Sequence, residues 1–301
     1  MVVRNEQATR TSAGWAPGPA ITLLRPHQWI KNAFVAAPLF FTPKLATAEN
    51  VLFVAAGVLC FCALSSAVYV VNDYIDRDAD RHHPTKRTRP LAAGTVSTRT
   101  AFVLLVLLLV LGLSGAALLS PYFLAICVGY LGLNLAYSSG LKQVSILDVM
   151  IIALGFVLRV EAGAALIGTE PTVWIIVCTG LLALFLALAK RRDDLVKALP
   201  GDHRRSLDGY NRSFLDASVT IVLAALVVSY TIYTVDPLVM RRMGSEHLYL
   251  TVPFVLAGML RYLQITLVEE RSGSPTRIIL SDRFMIGSVL GWVATFGVIL
   301  Y

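Results

Sequence analysis

The chain has 301 residues, 56% of them hydrophobic and 15% charged, with a formal net charge of +7 and a mean hydropathy of +0.69. So apolar a composition excludes an ordinary soluble domain and predicts an all-α integral membrane protein. The basic residues are divided among several polar stretches and mixed with carboxylates, which points to lipid headgroups and anionic substrates and away from nucleic acid.

Residues 1 to 20 hold Thr, Ser, Gly, Pro and scattered charge without an apolar run. They read as a mobile tail, neither a signal peptide nor an anchor, ahead of a single transmembrane domain over 21 to 301. Nine apolar segments follow that are long enough to cross about 30 Å of hydrocarbon. They lie near 32 to 47, 51 to 71, 100 to 119, 121 to 137, 146 to 167, 172 to 189, 214 to 235, 248 to 268 and 284 to 301. Short turns between them favour one helical bundle. Grouping 1 to 31, 72 to 99, 138 to 145, 190 to 213 and 269 to 283 on one side collects 21 of the 26 Lys and Arg residues. Positive loops stay in the cytoplasm, so the N-terminus and these loops are expected on the cytoplasmic face of the inner membrane, with the C-terminus outside. Cys60, Cys62, Cys127 and Cys178 sit in apolar runs without metal-ligand spacing and read as buried thiols.

The first polar stretch is Leu24-Arg-Pro-His-Gln-Trp-Ile-Lys-Asn32. Trp29 suits a membrane-interface belt and Lys31 a snorkelling anchor, but Gln28 and Asn32 have no role in that picture. Arg25, Gln28, Lys31 and Asn32 are therefore candidate substrate contacts.

The second stretch, Asn72 to Gly94, is the most informative. At about 100° per residue, Asp73, Asp76 and Asp80 fall on one helical face with Asn72 beside them, and Asp78 points elsewhere. Three carboxylates on one face repel unless a cation joins them. Hard oxygen ligands suit Mg²⁺, which shares its shell with waters and substrate phosphates, so the pattern predicts a Mg²⁺-diphosphate site with Asp73, Asp76 and Asp80 as catalytic metal ligands. Pro84 should end the helix, and Lys86, Arg87 and Arg89 beyond it could grip phosphate oxygens. Adjacent His82 and His83 diverge on a helix and lack partners for zinc.

Further along, Tyr137-Ser-Ser-Gly-Leu-Lys142 offers Lys142 for a second phosphate and Tyr137 to orient it. Asp148, Arg159 and Glu161 are ionisable groups at membrane depth, which usually mark a site or a wet cavity. Direct pairing of Asp148 with Arg159 is not expected, because eleven residues rise about 16 Å along a helix. Lys190, Arg191 and Arg192 close the candidate phosphate contacts, followed by Asp193 and Asp194.

Asn72, Asp73, Asp76 and Asp80 match the Asn-Asp-x-x-Asp-x-x-x-Asp signature of the UbiA-type superfamily of membrane transferases, and the chain resembles that superfamily over nearly its whole length. Within it, Arg25 to Asn32, His83 to Pro90 and Tyr137 to Lys142 are most similar to the polyprenyl-phosphate phosphoribosyltransferases, the decaprenyl-phosphate group. The resemblance implies a nine-helix bundle and a homo-oligomer, a trimer by that resemblance. It implies phosphoribosyl diphosphate as donor, a polyprenyl phosphate as acceptor, Mg²⁺ as cofactor, and a product that feeds envelope glycan synthesis. Aromatic prenyltransferases of this fold carry a second Asp-x-x-x-Asp motif; here Asp193 is followed four positions later by Lys197 and Asp194 by Ala198. More phosphates call for more cations, and a basic cluster stands in that place. Two other readings remain: prenyl transfer from an allylic diphosphate to an aromatic acceptor, and transport of a lipid or metabolite along a path lined by Asp148, Arg159 and Glu161. No inverted repeat of the transporter kind is visible.

Overall fold

Capping side chains cut the apolar sequence into helices where hydropathy leaves the ends soft. In the computed structural model, which describes residues 18–197 and 205–300, eight helices among the described residues are long and apolar enough to cross a membrane. They are α1 (Ala48–Ile75), α2 (Thr98–Leu119), α3 (Pro121–Ser139), α4 (Leu147–Leu166), α5 (Val173–Val196), α6 (Arg212–Val235), α7 (Val252–Leu267, which spans together with the 3₁₀ turn Leu248–Thr251 that leads into it) and α8 (Arg283–Leu300). Thr47, Ser97, Thr172 and Asn211 cap α1, α2, α5 and α6 by accepting from backbone N–H groups of the first turn, where four such donors otherwise lack partners. Ser120 both ends α2 and caps α3, and Pro121 at the first helical position needs no N–H partner.

Successive helices pack side by side around the bundle, α1 on α2, α3 and α4, then α4 on α5, α5 on α6, α6 on α7 and α7 on α8. Alternating direction brings the C-terminal ends of α1, α3, α5 and α7 together with the N-terminal ends of α2, α4, α6 and α8. The polar motifs all lie at that end. The four cysteines are free, with Cys60, Cys62 and Cys127 buried, as their apolar setting predicts. The expected tail lies outside the described residues except for its last three, of which Pro19 and Ala20 already belong to a short helix, Pro19–Leu24.

The predicted first segment, 32 to 47, is where the sequence reading needs correction. It is no regular spanning helix: the chain forms a 3₁₀ helix over Pro26–Ala36 and a single α-turn over Ala37–Phe40. Pro26, Pro38 and Pro43 remove backbone donors and interrupt a longer α-helix. Such backbone survives at membrane depth only when protein covers it, and this segment lies against α1 and α4. Gly163 on α4 makes the approach possible, because a Cβ there would collide with the Val35 carbonyl oxygen. Phe40 and Phe41 then meet Trp292 and Phe296 of α8, with ring centroids 5.6–6.1 Å apart, so an aromatic seam joins the first segment to the last helix.

Candidate active site

The acidic motif straddles the end of α1. Asp73 is in its last turn, Asp76 caps the junction, and a short helix, Arg77–His82, carries Asp80. That helix stops at His82, and His83 is extended (φ −83°, ψ 135°) as a residue before proline prefers. Asp73 and Asp80 are 1% and 4% exposed. Two buried carboxylates at close range require counter-charge. Arg89 Nη1 provides it to both, 3.2 Å from Asp73 Oδ1 and 2.7 Å from Asp80 Oδ2, so those two oxygens lie no further apart than the sum of the two contacts. Arg25 Nη2 reaches the same Asp73 oxygen at 2.5 Å, and Lys142 Nζ meets Asp76 at 2.6 Å. Asp78 points away, exposed, toward Arg77 and Arg81. Arg25 is held by a left-handed backbone (φ 52°) and lies 4.8 Å over the Tyr69 ring. Asn72 accepts a hydrogen bond from the Ser138 hydroxyl, which ties α1 to α3.

Behind this cluster, a cavity of about 920 Å³ runs inside the bundle. Its body is apolar, with Phe34, Phe156, Leu182 and Trp292 among its walls, while Gln28, Lys31, Asn72, Tyr137, Lys190 and Arg191 line its polar part. Burial, and after it the positive charges of Lys190, Arg159 and Arg25, lower the pKa of the Lys31 ammonium to about 7, a shift that a bound anion would oppose. Cations gathered on an apolar chamber favour an anion.

Other candidates are used differently. Asn32 is fully buried: its amide donates to Cys62 Sγ and Ser65 Oγ, and its Oδ1 accepts from Arg159 Nε at 2.9 Å. Arg159 also donates to the Gly155 carbonyl and the Tyr130 hydroxyl. These two side chains bond to each other and to helices, and neither lines the cavity. Arg192 turns away from the chamber, bonding Asp216, the Thr266 carbonyl and Glu270. Asn32, Arg159 and Arg192 thus link helices, and none of the three lines the cavity. Asp148 and Arg159 keep separate partners, as their spacing predicts. Lys86 and Arg87, in the turn after Pro84, make no ion pair among the described residues. Trp29 donates to Ser66 Oγ at 2.9 Å, which binds the first segment to α1. Sequence reasoning passed over Tyr69, whose wall position beside Arg25 has no sequence signal beyond an aromatic one turn before the acids.

The UbiA prenyltransferase family model matches residues 29–285. The chain belongs to the UbiA prenyltransferase family. As an enzyme of that family it is a multi-span membrane transferase. The decaprenyl-phosphate phosphoribosyltransferase of Corynebacterium glutamicum is 33% identical over 280 residues, covering 91% of this chain and 84% of the relative. That of Mycobacterium tuberculosis is 32% identical over 283 residues, covering 92% of each. A UbiA homologue from Archaeoglobus fulgidus, solved bound to GPP and Mg²⁺, superposes with a TM-score of 0.70 over 93% of this chain and 99% of its own, at 23% identity, and so shares the fold.

Proposed function

We propose that this UbiA-family member transfers a 5-phosphoribosyl group from phosphoribosyl diphosphate to a polyprenyl phosphate and releases diphosphate. The observation that carries the reading is the pairing of carboxylates at the mouth with Lys31, Lys190 and Arg191 on an apolar chamber, a set of cations suited to two phosphorylated substrates. The acids of the α5 cluster are engaged by cations, Asp193 by Lys197 at 2.7 Å and Asp194 by Arg191 at 2.8 Å. The phosphoribosyltransferases to which the chain is similar support the same donor and acceptor.

The oxygen-rich donor set of Asp73, Asp76 and Asp80 fits Mg²⁺. Among the described residues no three acids, histidines or cysteines converge on one point, so these carboxylates would hold Mg²⁺ only together with water and substrate phosphate oxygens. Bound there, Mg²⁺ supplies Lewis-acid charge stabilisation and orientation. The chain's own part is to bind and aim. Arg25, Arg89 and Lys142 lie within reach of the departing diphosphate, and Lys31, Lys190 and Arg191 offer donors to the remaining phosphates. The C1–O bond to diphosphate breaks with its electron pair on the leaving oxygen while a lipid phosphate oxygen bonds C1. That phosphate is anionic near neutral pH, so the displacement needs no general base and inverts C1. Positioning and preorganised charge supply the rate. The apolar chamber takes prenyl carbon, and the charged end faces the cytoplasm, where the donor is found.

Purified protein offered labelled phosphoribosyl diphosphate with polyprenyl phosphate should put label into the lipid extract, and Asp73→Ala or Asp76→Ala should cut turnover about 100-fold or more while membrane insertion is kept. Consumption of an allylic prenyl diphosphate with an aromatic acceptor, and not of the pentose donor, would overturn the assignment.

A further inference from the structure

Arg191 carries a buried guanidinium, 2% exposed, on the wall of the chamber. Its Nε donates to Asp148 Oδ2 at 2.6 Å and its Nη1 to Asp194 Oδ2 at 2.8 Å. Nη2 makes no hydrogen bond with the described residues, though the Tyr137 phenol acts on the guanidinium electrostatically, so the fork is fixed on two sides and offers its third nitrogen to whatever enters. Asp148 is itself fully buried, and its second oxygen accepts from the Tyr210 hydroxyl at 2.8 Å. The Tyr210 oxygen in turn accepts from the Ile146 backbone N–H at 2.5 Å.

That last bond falls on strained backbone. Ile146 has φ 71°, a conformation costly for a β-branched residue, which persists only where its surroundings hold it. Here they do: Ser145 Oγ donates to the Ser206 carbonyl at 2.8 Å, and Gly209 packs so close that a Cβ would strike Ser145. The turn entering α4 is thereby locked onto the 206–210 segment, and the lock sets where Asp148, two residues later, points. A buried carboxylate with both oxygens engaged and a guanidinium with one free nitrogen make an aligned chain from loop to chamber.

We infer that Asp148 and Tyr210 are positioning residues for the transfer reaction: through the Tyr210–Asp148–Arg191 chain they hold Arg191 Nη2 toward a phosphate of the diphosphate-bearing donor. This rests on the donor reading proposed above, but its test separates the two. A purely architectural role for Tyr210 predicts a thermal shift independent of Arg191, whereas positioning predicts coupling between them.

The experiment is a double-mutant cycle on full-length protein in detergent, comparing wild type, Tyr210→Phe, Arg191→Ala and the double variant for kcat, for KM of phosphoribosyl diphosphate and polyprenyl phosphate, and for Tm. Tyr210→Phe is expected to raise donor KM on the order of tenfold, as loss of one bond in a charged network does, with kcat and acceptor KM nearly unchanged. In the Arg191→Ala background the same change should add nothing. Asp148→Asn, which keeps the shape and removes the charge, should reproduce the donor KM rise, and Tyr210→Phe stands alone as the test if it does not fold. Additive effects on donor KM, or a fall in Tm with donor KM unmoved, would overturn positioning. If wild type consumes only an allylic diphosphate, the pentose reading fails, and the cycle run on that donor's KM decides the positioning chain.

Discussion

Asn32→Leu tests whether the Asn32–Arg159 pair holds helices or holds substrate. The substitution removes the acceptor of Arg159 Nε and both amide bonds to α1, at a residue that is fully buried. A hydrogen bond to a charged group and a buried donor left unsatisfied each cost about 1–3 kcal/mol. Arg159 keeps its bonds to the Gly155 carbonyl and the Tyr130 hydroxyl and its place over the Tyr130 ring, 4.8 Å from the centroid, so the loss should sit in the lower half of the combined range, at about 3 kcal/mol. Thermal unfolding in detergent should show a fall in Tm of several degrees, with donor affinity, measured at a temperature where both proteins are folded, within about twofold of wild type. Asn32→Asp, which keeps an acceptor for Arg159, should recover part of the loss. A Leu variant with wild-type Tm and lost donor affinity would refute the helix-link assignment and make Asn32 a substrate contact.

Arg89→Ala should leave Asp73 and Asp80 facing each other without their shared cation, so chelation of divalent ions should lower Tm more in this variant than in wild type; equal shifts would show that no metal occupies the pair. Gly163→Ala should cost about 1–3 kcal/mol of stability by overpacking, read as a lower Tm, because the Val35 carbonyl must move. The Asp282 carboxyl, bonded by Arg261 at 2.8 Å, is held down from 3.8 to about 2 by that bond. Its stabilising contribution is therefore full above the ordinary value and is lost as pH falls from about 4 through 2; Asp282→Asn should lower Tm at pH 7 and leave it nearly unchanged near pH 2.

Most of the fold was legible because crossing a bilayer demands long apolar runs, and eight of the nine proposed segments are helices. The first is not, because hydropathy reports apolar length and not backbone form, and Pro38 and Pro43 fall within it. In the site, the spacing of Asp73, Asp76 and Asp80 was readable since it depends only on helical period. The facing of Arg191 and Arg192 was not: neighbours on a helix point about 100° apart, and α5 is apolar on nearly every side, so no polar face announces which one meets the chamber. The Asn32–Arg159 bond spans 127 positions, and the Asp148–Arg191 bond 43, distances at which a single sequence carries no pairing signal.

The seam of Phe40 and Phe41 with Trp292 and Phe296 joins a part of the chain that leaves the ribosome early to one made about 250 positions later. Until α8 inserts, the flank that this seam closes would stand open to bilayer lipid, and the chamber would have no wall on that side. Premature termination just ahead of Trp292 should therefore yield a product that integrates into the membrane yet never encloses its own chamber.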